Sequence, residues 1–174
     1  MAQIIEIKAK CSDQNRIRDI LKEKNARFVG LDHQIDTYFK VPNGRLKLRK
    51  GNIEHTLIHY HRPNQKGPKL SKVLLYKPNP DENLKQVLTA ANGVLIEVDK
   101  KREIYFIDNV KFHLDQVKNL GTFVEIEAID REETMGLEII QKQCDQYIEL
   151  FEIKEKDLIQ VSYSDMLLEK EEDG

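Results

Sequence analysis

Three short runs of this chain alternate apolar and charged side chains, so that one face of each is ionic. Residues 4–10 set Ile5, Ile7 and Ala9 against Glu6, Lys8 and Lys10. Residues 45–49 set Leu46 and Leu48 against Arg45, Lys47 and Arg49. Residues 123–128 set Val124, Ile126 and Ala128 against Glu125 and Glu127. A period of two marks a half-buried strand. Brought into one sheet, these strands gather carboxylates and cations on a common surface. Such a surface suits a polyanion held together with a divalent metal.

The remaining composition narrows the choices. A chain of 174 residues is most simply one domain, here residues 1–168, followed by an acidic tail at 169–174 expected to be disordered. With 28 basic and 30 acidic residues the net charge is -2, so no global basic field recruits nucleic acid and any anion site is local. Cys11 and Cys144 lie far apart and outside any Cys-x-x-Cys spacing, which argues against structural zinc or a disulfide framework. No signal-peptide core opens the chain, and no apolar run approaches the roughly 20 residues that cross a bilayer. The expected setting is the cytoplasm, with neither nucleic acid nor membrane as partner.

Turn chemistry orders the rest. Ser12 or Asp13 caps a helix carrying Ile17, Ile20 and Leu21 at helical spacing. Strands are expected at 37–41, 46–49, 55–62, 71–76, 94–100, 103–107, 110–115 and 122–128, with turns at Asn43-Gly44, Gly51-Asn52 and Asp108-Asn109. Helical patterns cover 81–91, 132–150 and 163–168. This is an α+β chain whose hairpin-length turns favour an antiparallel sheet over βαβ units. A sheet of eight or nine strands curls or closes. Closure with the charges inward leaves a polar tunnel, its apolar outer face covered by three amphipathic helices.

Inward candidates are the acids Glu6, Asp115, Glu125 and Glu127 and the bases Lys8, Arg45, Lys47, Arg49, Arg62, Lys69, Lys100 and Arg102. Carboxylate oxygens are the hard ligands that magnesium or manganese prefers. Arginine forks and lysine ammonium groups match phosphate oxygens. No Gly-rich phosphate loop or dinucleotide fingerprint competes with that reading. His55, His59 and His61 share a strand face whose spacing could converge on zinc; with Tyr60 and Arg62 on the tunnel side, these histidines are instead expected outside it.

An ordered set of motifs follows from these residues: Ile5-Glu6-Ile7-Lys8, Gln34-x-Asp36-x-Tyr38-Phe39, Arg45-x-Lys47-x-Arg49, Lys100-x-Arg102-x-x-Tyr105, His113-Leu114-Asp115, Leu120-Gly121 and Phe123-x-Glu125-x-Glu127. The set resembles the CYTH, or triphosphate tunnel metalloenzyme, superfamily over roughly residues 4–167. Tyr60-x-Arg62-Pro63, Gly67-Pro68-Lys69-x-Ser71 and Ser162-Tyr163-Ser164-Asp165 look most like its class IV adenylyl cyclase branch.

The resemblance implies a closed or nearly closed eight-stranded antiparallel barrel with a charged interior. It implies a phosphorus–oxygen lyase that turns ATP into 3′,5′-cyclic AMP and pyrophosphate with Mg2+ or Mn2+. Glu6, Glu125, Glu127 and Asp115 would hold metal. Lys8, Lys47, Arg49, Arg62, Lys69, Lys100 and Arg102 would hold the nucleoside triphosphate or other triphosphate, with Asp115, Lys8 and Arg102 as the catalytic set. A homodimer is expected on the same ground. The first acid of the family signature falls at Ile4, which cannot ligate a metal. Two alternatives therefore stand beside the cyclase: an inorganic or thiamine triphosphatase, and a triphosphate binder with little or no turnover.

Overall fold

In the computed structural model, which describes residues 2–61, 64–80 and 82–174, the ionic faces all turn inward. The strands are β1 (Ala2–Lys10), β2 (Arg27–Phe39), β3 (Arg45–Lys50), β4 (His55–His61), β5 (Lys69–Tyr76), β6 (Val94–Ile107), β7 (Val110–Val117) and β8 (Gly121–Asp130). They form one closed antiparallel barrel in the order β1-β5-β4-β3-β2-β6-β7-β8. Register explains the shared interior. Glu6 faces Glu127 and Lys8 faces Glu125 across β1 and β8; Arg49 faces Asp36 across β3 and β2; Arg102 faces Asp115 across β6 and β7. Residues directly opposite share a face, so the ionic runs join from β3 through β2, β6, β7 and β8 to β1, while β4 and β5 turn Thr56, Ile58, Tyr60, Ser71, Val73 and Leu75 toward the same space.

The outer skin of β1, β7 and β8 is apolar. Ile5, Ile7, Ala9, Phe112, Leu114, Val124, Ile126 and Ala128 are buried there under two helices. Helix α1 (Gln14–Glu23), capped by the Asp13 side chain accepting from the Arg16 N–H, contributes Ile17 and Leu21. Helix α3 (Leu137–Leu150) contributes Ile140 and Cys144, and Phe151 follows it into the same core. Each large side chain buried this way contributes about 1.5–3 kcal/mol. No helix among the described residues is long and apolar enough to cross a membrane.

Only two of the three expected covering helices cover the barrel wall. Helix α2 (Glu82–Asn92) has no fully buried side chain among its described residues, and its Val87 is 62% exposed. Helix α4 (Tyr163–Asp173), after a 3₁₀ turn at Glu155–Asp157, lies instead at one end of the tunnel, with Tyr163 packed on Phe123 at 5.0 Å between ring centroids. Its helical backbone runs on through the acidic segment read from sequence as a tail, with the side chains there exposed.

Three boundaries also differ. β2 begins at Arg27 rather than 37, because Asp32, Gln34 and Asp36 occupy its inward face and erase the apolar alternation. β6 runs unbroken from Val94 to Ile107, its Lys100 and Arg102 continuing the inward set. Helix α3 starts at Leu137 rather than 132, because the Asp130 carboxylate accepts from the N–H groups of Thr134, Met135 and Gly136 and holds that stretch as a loop.

Candidate active site

A cavity of about 510 Å3 runs inside the barrel. Its polar lining includes the cations Lys8, Lys47, Arg49, Lys100, Arg102 and Lys111 and the acids Glu6, Glu54, Glu125 and Glu127. Packed cations repel strongly where water is scarce, and three internal counter-ions hold them in place.

Asp36 is the first. Only 1% exposed, it accepts from Arg49 Nε and Nη2 at 2.9 Å each and from Lys100 Nζ at 2.6 Å, with Lys47 Nζ 3.7 Å away. Burial would raise its pKa, but Arg49, Lys100 and Lys47 hold it well below the usual carboxylate range. Lys100 is pushed down to about 7, first by burial and then by Arg102, Arg49 and Lys47, against the pull of Asp36. It therefore stands between its charged and neutral forms near neutral pH.

Asp115 is the second. It is wholly buried and takes Arg102 in a fork, Nε at 2.7 Å and Nη2 at 2.8 Å, while Tyr163 donates its hydroxyl at 2.7 Å. Arg102 Nη2 also reaches Glu125 Oε1 at 2.5 Å. Asp115 thus stands behind Arg102, away from the cavity lining, and aims its guanidinium. Lys8 Nζ rests 3.7 Å from the centroid of the Tyr163 ring, a cation–π contact that fixes it beside the same group.

Glu54 is the third. It accepts from Arg49 at 3.1 Å, Lys111 at 2.5 Å and the Gln34 amide at 3.0 Å. Arg49 and Lys111 overcome burial and bring its pKa down to about 2. Its position depends on Asp32, which accepts from the N–H groups of Ile53 and Glu54, at 2.9 Å each, and so clamps the β3–β4 hairpin. A Cβ on Gly51 would lie 2.5 Å from Asp32 Oδ1. Gly51→Ala is expected to displace that carboxylate and cost about 1–3 kcal/mol, read as a lowered urea midpoint with an unchanged slope. An unaltered midpoint would show that the clamp yields without cost.

The carboxylates gather on the opposite wall. Glu125 is held well below its ordinary range because Arg102 and Lys8 outweigh its burial. Glu127 is pushed up to about 7 by burial and by Glu6 and Glu125. His113 completes the group, its Nδ1 3.9 Å from Glu125 Oε1 and 3.7 Å from Glu127 Oε1. Burial, Arg102 and Lys111 keep this imidazole neutral, with its pKa well below the ordinary histidine value. Ligand atoms of His113, Glu125 and Glu127 all fall within 4.8 Å of one another. Mutually repelling carboxylates beside a neutral imidazole are a donor set that fits a divalent cation.

A family model of the CYTH domain matches residues 2–163. The chain belongs to the CYTH domain family. A Methanocaldococcus jannaschii protein named as a candidate adenylate cyclase is 28% identical across 71% of this chain and 75% of its own length. A solved Pyrococcus horikoshii structure matches with a TM-score of 0.72 at 24% identity, covering 93% of this chain and 98% of its own. A candidate adenylyl cyclase from Hippeastrum, described as having a dominant triphosphatase activity, matches with a TM-score of 0.64 at 12% identity over 97% and 94% of the two chains. The two structural likenesses show the fold.

In this CYTH domain the tunnel brings together Glu6, Lys8, Lys47, Arg49, Lys100, Arg102, Glu125 and Glu127. Lys69, 3% exposed, instead donates to the Gln160 carbonyl and is not part of the described cavity lining. Arg45 pairs with Asp165 of α4 at 2.5 Å. Arg62 lies outside the described residues. His55, expected outside the tunnel, lines the cavity, because it opens β4 beside the turn where strand parity does not yet hold. Ile4 lines the cavity opposite Ile129, so the level of the first signature acid is apolar.

Sequence reasoning missed Asp36, Glu54, Lys111, His113 and Tyr163 as members of the site. Strand parity alone could have found three of them. Asp36 is in step with Tyr38, and Lys111 and His113 are in step with Asp115. Glu54 had no such signal, because it lies in a turn.

Proposed function

We propose that this CYTH domain is a metal-dependent enzyme that closes ATP to 3′,5′-cyclic AMP and releases pyrophosphate. The single observation that carries this reading is the division of one cavity into an ionic part and an apolar part. Beyond the carboxylates, Ile4, Ile53, Val73, Leu75, Phe106 and Ile129 line the same space. Inorganic triphosphate has no use for such a surface, whereas a nucleoside carried on a triphosphate does. The volume also falls in the ordinary range for a ligand of that size, roughly 300–1,000 Å3.

Lys8, Lys47, Arg49, Lys100 and Arg102 would take the phosphate oxygens, with Asp115 keeping the Arg102 fork aimed. Asp36 would share its cations with the incoming anion. Glu6, Glu125 and Glu127 would hold Mg2+ or Mn2+, which draws charge from the phosphate oxygens and favours ionisation of the ribose 3′-hydroxyl. The 3′-hydroxyl would give up its proton to water as its oxygen bonds to the α-phosphorus and the bond from that phosphorus to the pyrophosphate oxygen breaks. No covalent protein nucleophile is required. Positioning and preorganised charge supply the catalysis.

Incubation of the purified protein with ATP and Mn2+, followed by separation of products, tests the proposal. Cyclic AMP with pyrophosphate is expected. Orthophosphate would make the protein a triphosphatase, and bound but unchanged ATP would make it a binder. Glu125→Ala and Glu127→Ala are each expected to lower turnover by about a hundredfold or more while circular dichroism stays unchanged. Activity within a few-fold of the parent would remove both carboxylates from the site.

A further inference from the structure

We infer that His113 is a nitrogen ligand to the divalent cation and that it shifts the site away from magnesium toward manganese or another transition metal. The inference rests on the metal-dependent reading above and concerns one residue that reading does not use.

Three observations converge on it. His113 is 1% exposed, and neither ring nitrogen has a hydrogen-bond partner among the described residues. A buried imidazole left in that state costs about 1–3 kcal/mol for each unsatisfied group, so a histidine serving only as core filling is poorly matched to this position. Register also turns it inward. It lies directly opposite Glu125 on β8, between Lys111 and Asp115 of its own strand.

The spacing is the second observation. Distances of 3.9 and 3.7 Å from Nδ1 to the two carboxylate oxygens exceed a hydrogen bond. Two ligands about 2.0–2.2 Å from a common ion stand roughly 3–3.5 Å apart, so a modest contraction around an ion brings this trio into its first shell.

The third is the loss on the other side of the carboxylates. Ile4 and Ile129 face each other at the next level of the tunnel, and neither offers a donor. The site therefore has fewer oxygen ligands than an all-carboxylate arrangement would provide, and the imidazole makes up the number. Magnesium prefers oxygen donors and binds imidazole weakly. Manganese, cobalt and zinc accept a mixed nitrogen and oxygen set more readily.

Pulsed electron paramagnetic resonance of Mn2+ added to the intact chain without nucleotide tests this directly. The expected result is bound Mn2+ whose echo modulation shows coupling to a directly ligated 14N nucleus, lost in His113→Gln. In parallel, calorimetric titration should show the ratio of Mn2+ to Mg2+ affinity falling about tenfold in the variant. Bound Mn2+ with no directly ligated nitrogen in the wild-type protein overturns the role of His113 and leaves the metal-dependent reading standing. Failure to bind Mn2+ at millimolar concentration overturns both. The wild-type spectrum decides the question even if His113→Gln does not fold.

Discussion

Asp36→Asn is expected to lower the thermal midpoint by roughly 10 °C, and added tripolyphosphate is expected to restore most of the loss. Arg49 and Lys100 both hydrogen-bond to this one buried carboxylate, and Lys47 stands close to it. Removing one partner of a buried ion pair costs about 3–5 kcal/mol, because the charges left behind are uncompensated. In a protein of this size each kcal/mol moves the midpoint by roughly 2–4 °C. The rescue follows from the same electrostatics. If the tunnel is a triphosphate site, an external polyanion supplies the negative charge that the amide variant lacks. Scanning calorimetry of both proteins with and without tripolyphosphate measures both effects. A midpoint within about 2 °C of the parent would mean that Asp36 does not organise the cations. Loss without rescue would mean that the tunnel does not take the anion.

The metal-free protein is also expected to gain stability as pH rises from about 7 to 9, with little net change between about pH 5 and 7. Three buried groups set this shape. Glu127 moves from an ordinary 4.5 up to about 7. Between those values the native state keeps a proton that the unfolded chain has released, so its contribution, full at acid pH, is lost as pH rises to about 7. His113, held well below its ordinary 6.5, acts the other way. Below 6.5 the unfolded chain keeps a proton that the native imidazole has released, so its contribution climbs and offsets most of the Glu127 loss. Lys100 moves from 10.5 down to about 7. Between 7 and 10.5 the unfolded chain keeps a proton that the native state has released, so stability climbs as pH rises through that window. By pH 9 this limb is worth on the order of 3 kcal/mol. Urea unfolding at half-unit intervals measures the curve. Glu127→Gln should uncover a rise between about pH 5 and 6.5, and Lys100→Met should flatten the alkaline limb. A flat curve from pH 7 to 9 would contradict the Lys100 shift.

These groups also show where the sequence was readable. β1, β3 and β8 each carry a strict two-residue period, so their ionic faces could be assigned without neighbours. The first half of β2 could not. Its inward side chains are polar, and it is held by pairing with β6, a strand more than fifty residues away. The role of Asp36 had the same difficulty, since only the cross-strand partners Arg49 and Lys100 show that a carboxylate there organises cations. Glu54 was further out of reach. A turn residue has no parity, and its aim is set by Asp32 and by the absence of a side chain at Gly51. His113 was visible in its motif. What the motif lacked was the finding that neither ring nitrogen is satisfied, which requires the whole barrel.

The seam between β1 and β8 also sets when the site comes into being. Glu6 and Lys8 belong to the first barrel strand synthesised, yet they meet Glu127 and Glu125 on the last. Until the ribosome has released β8, β1 lacks one of its two neighbours and its acidic and basic groups remain in water. Strands so far apart in the chain that must find each other make for slow folding, and a fragment stopping short of residue 121 has no complete ring. The closed ionic lining is thus a property that a nascent chain acquires late and all at once.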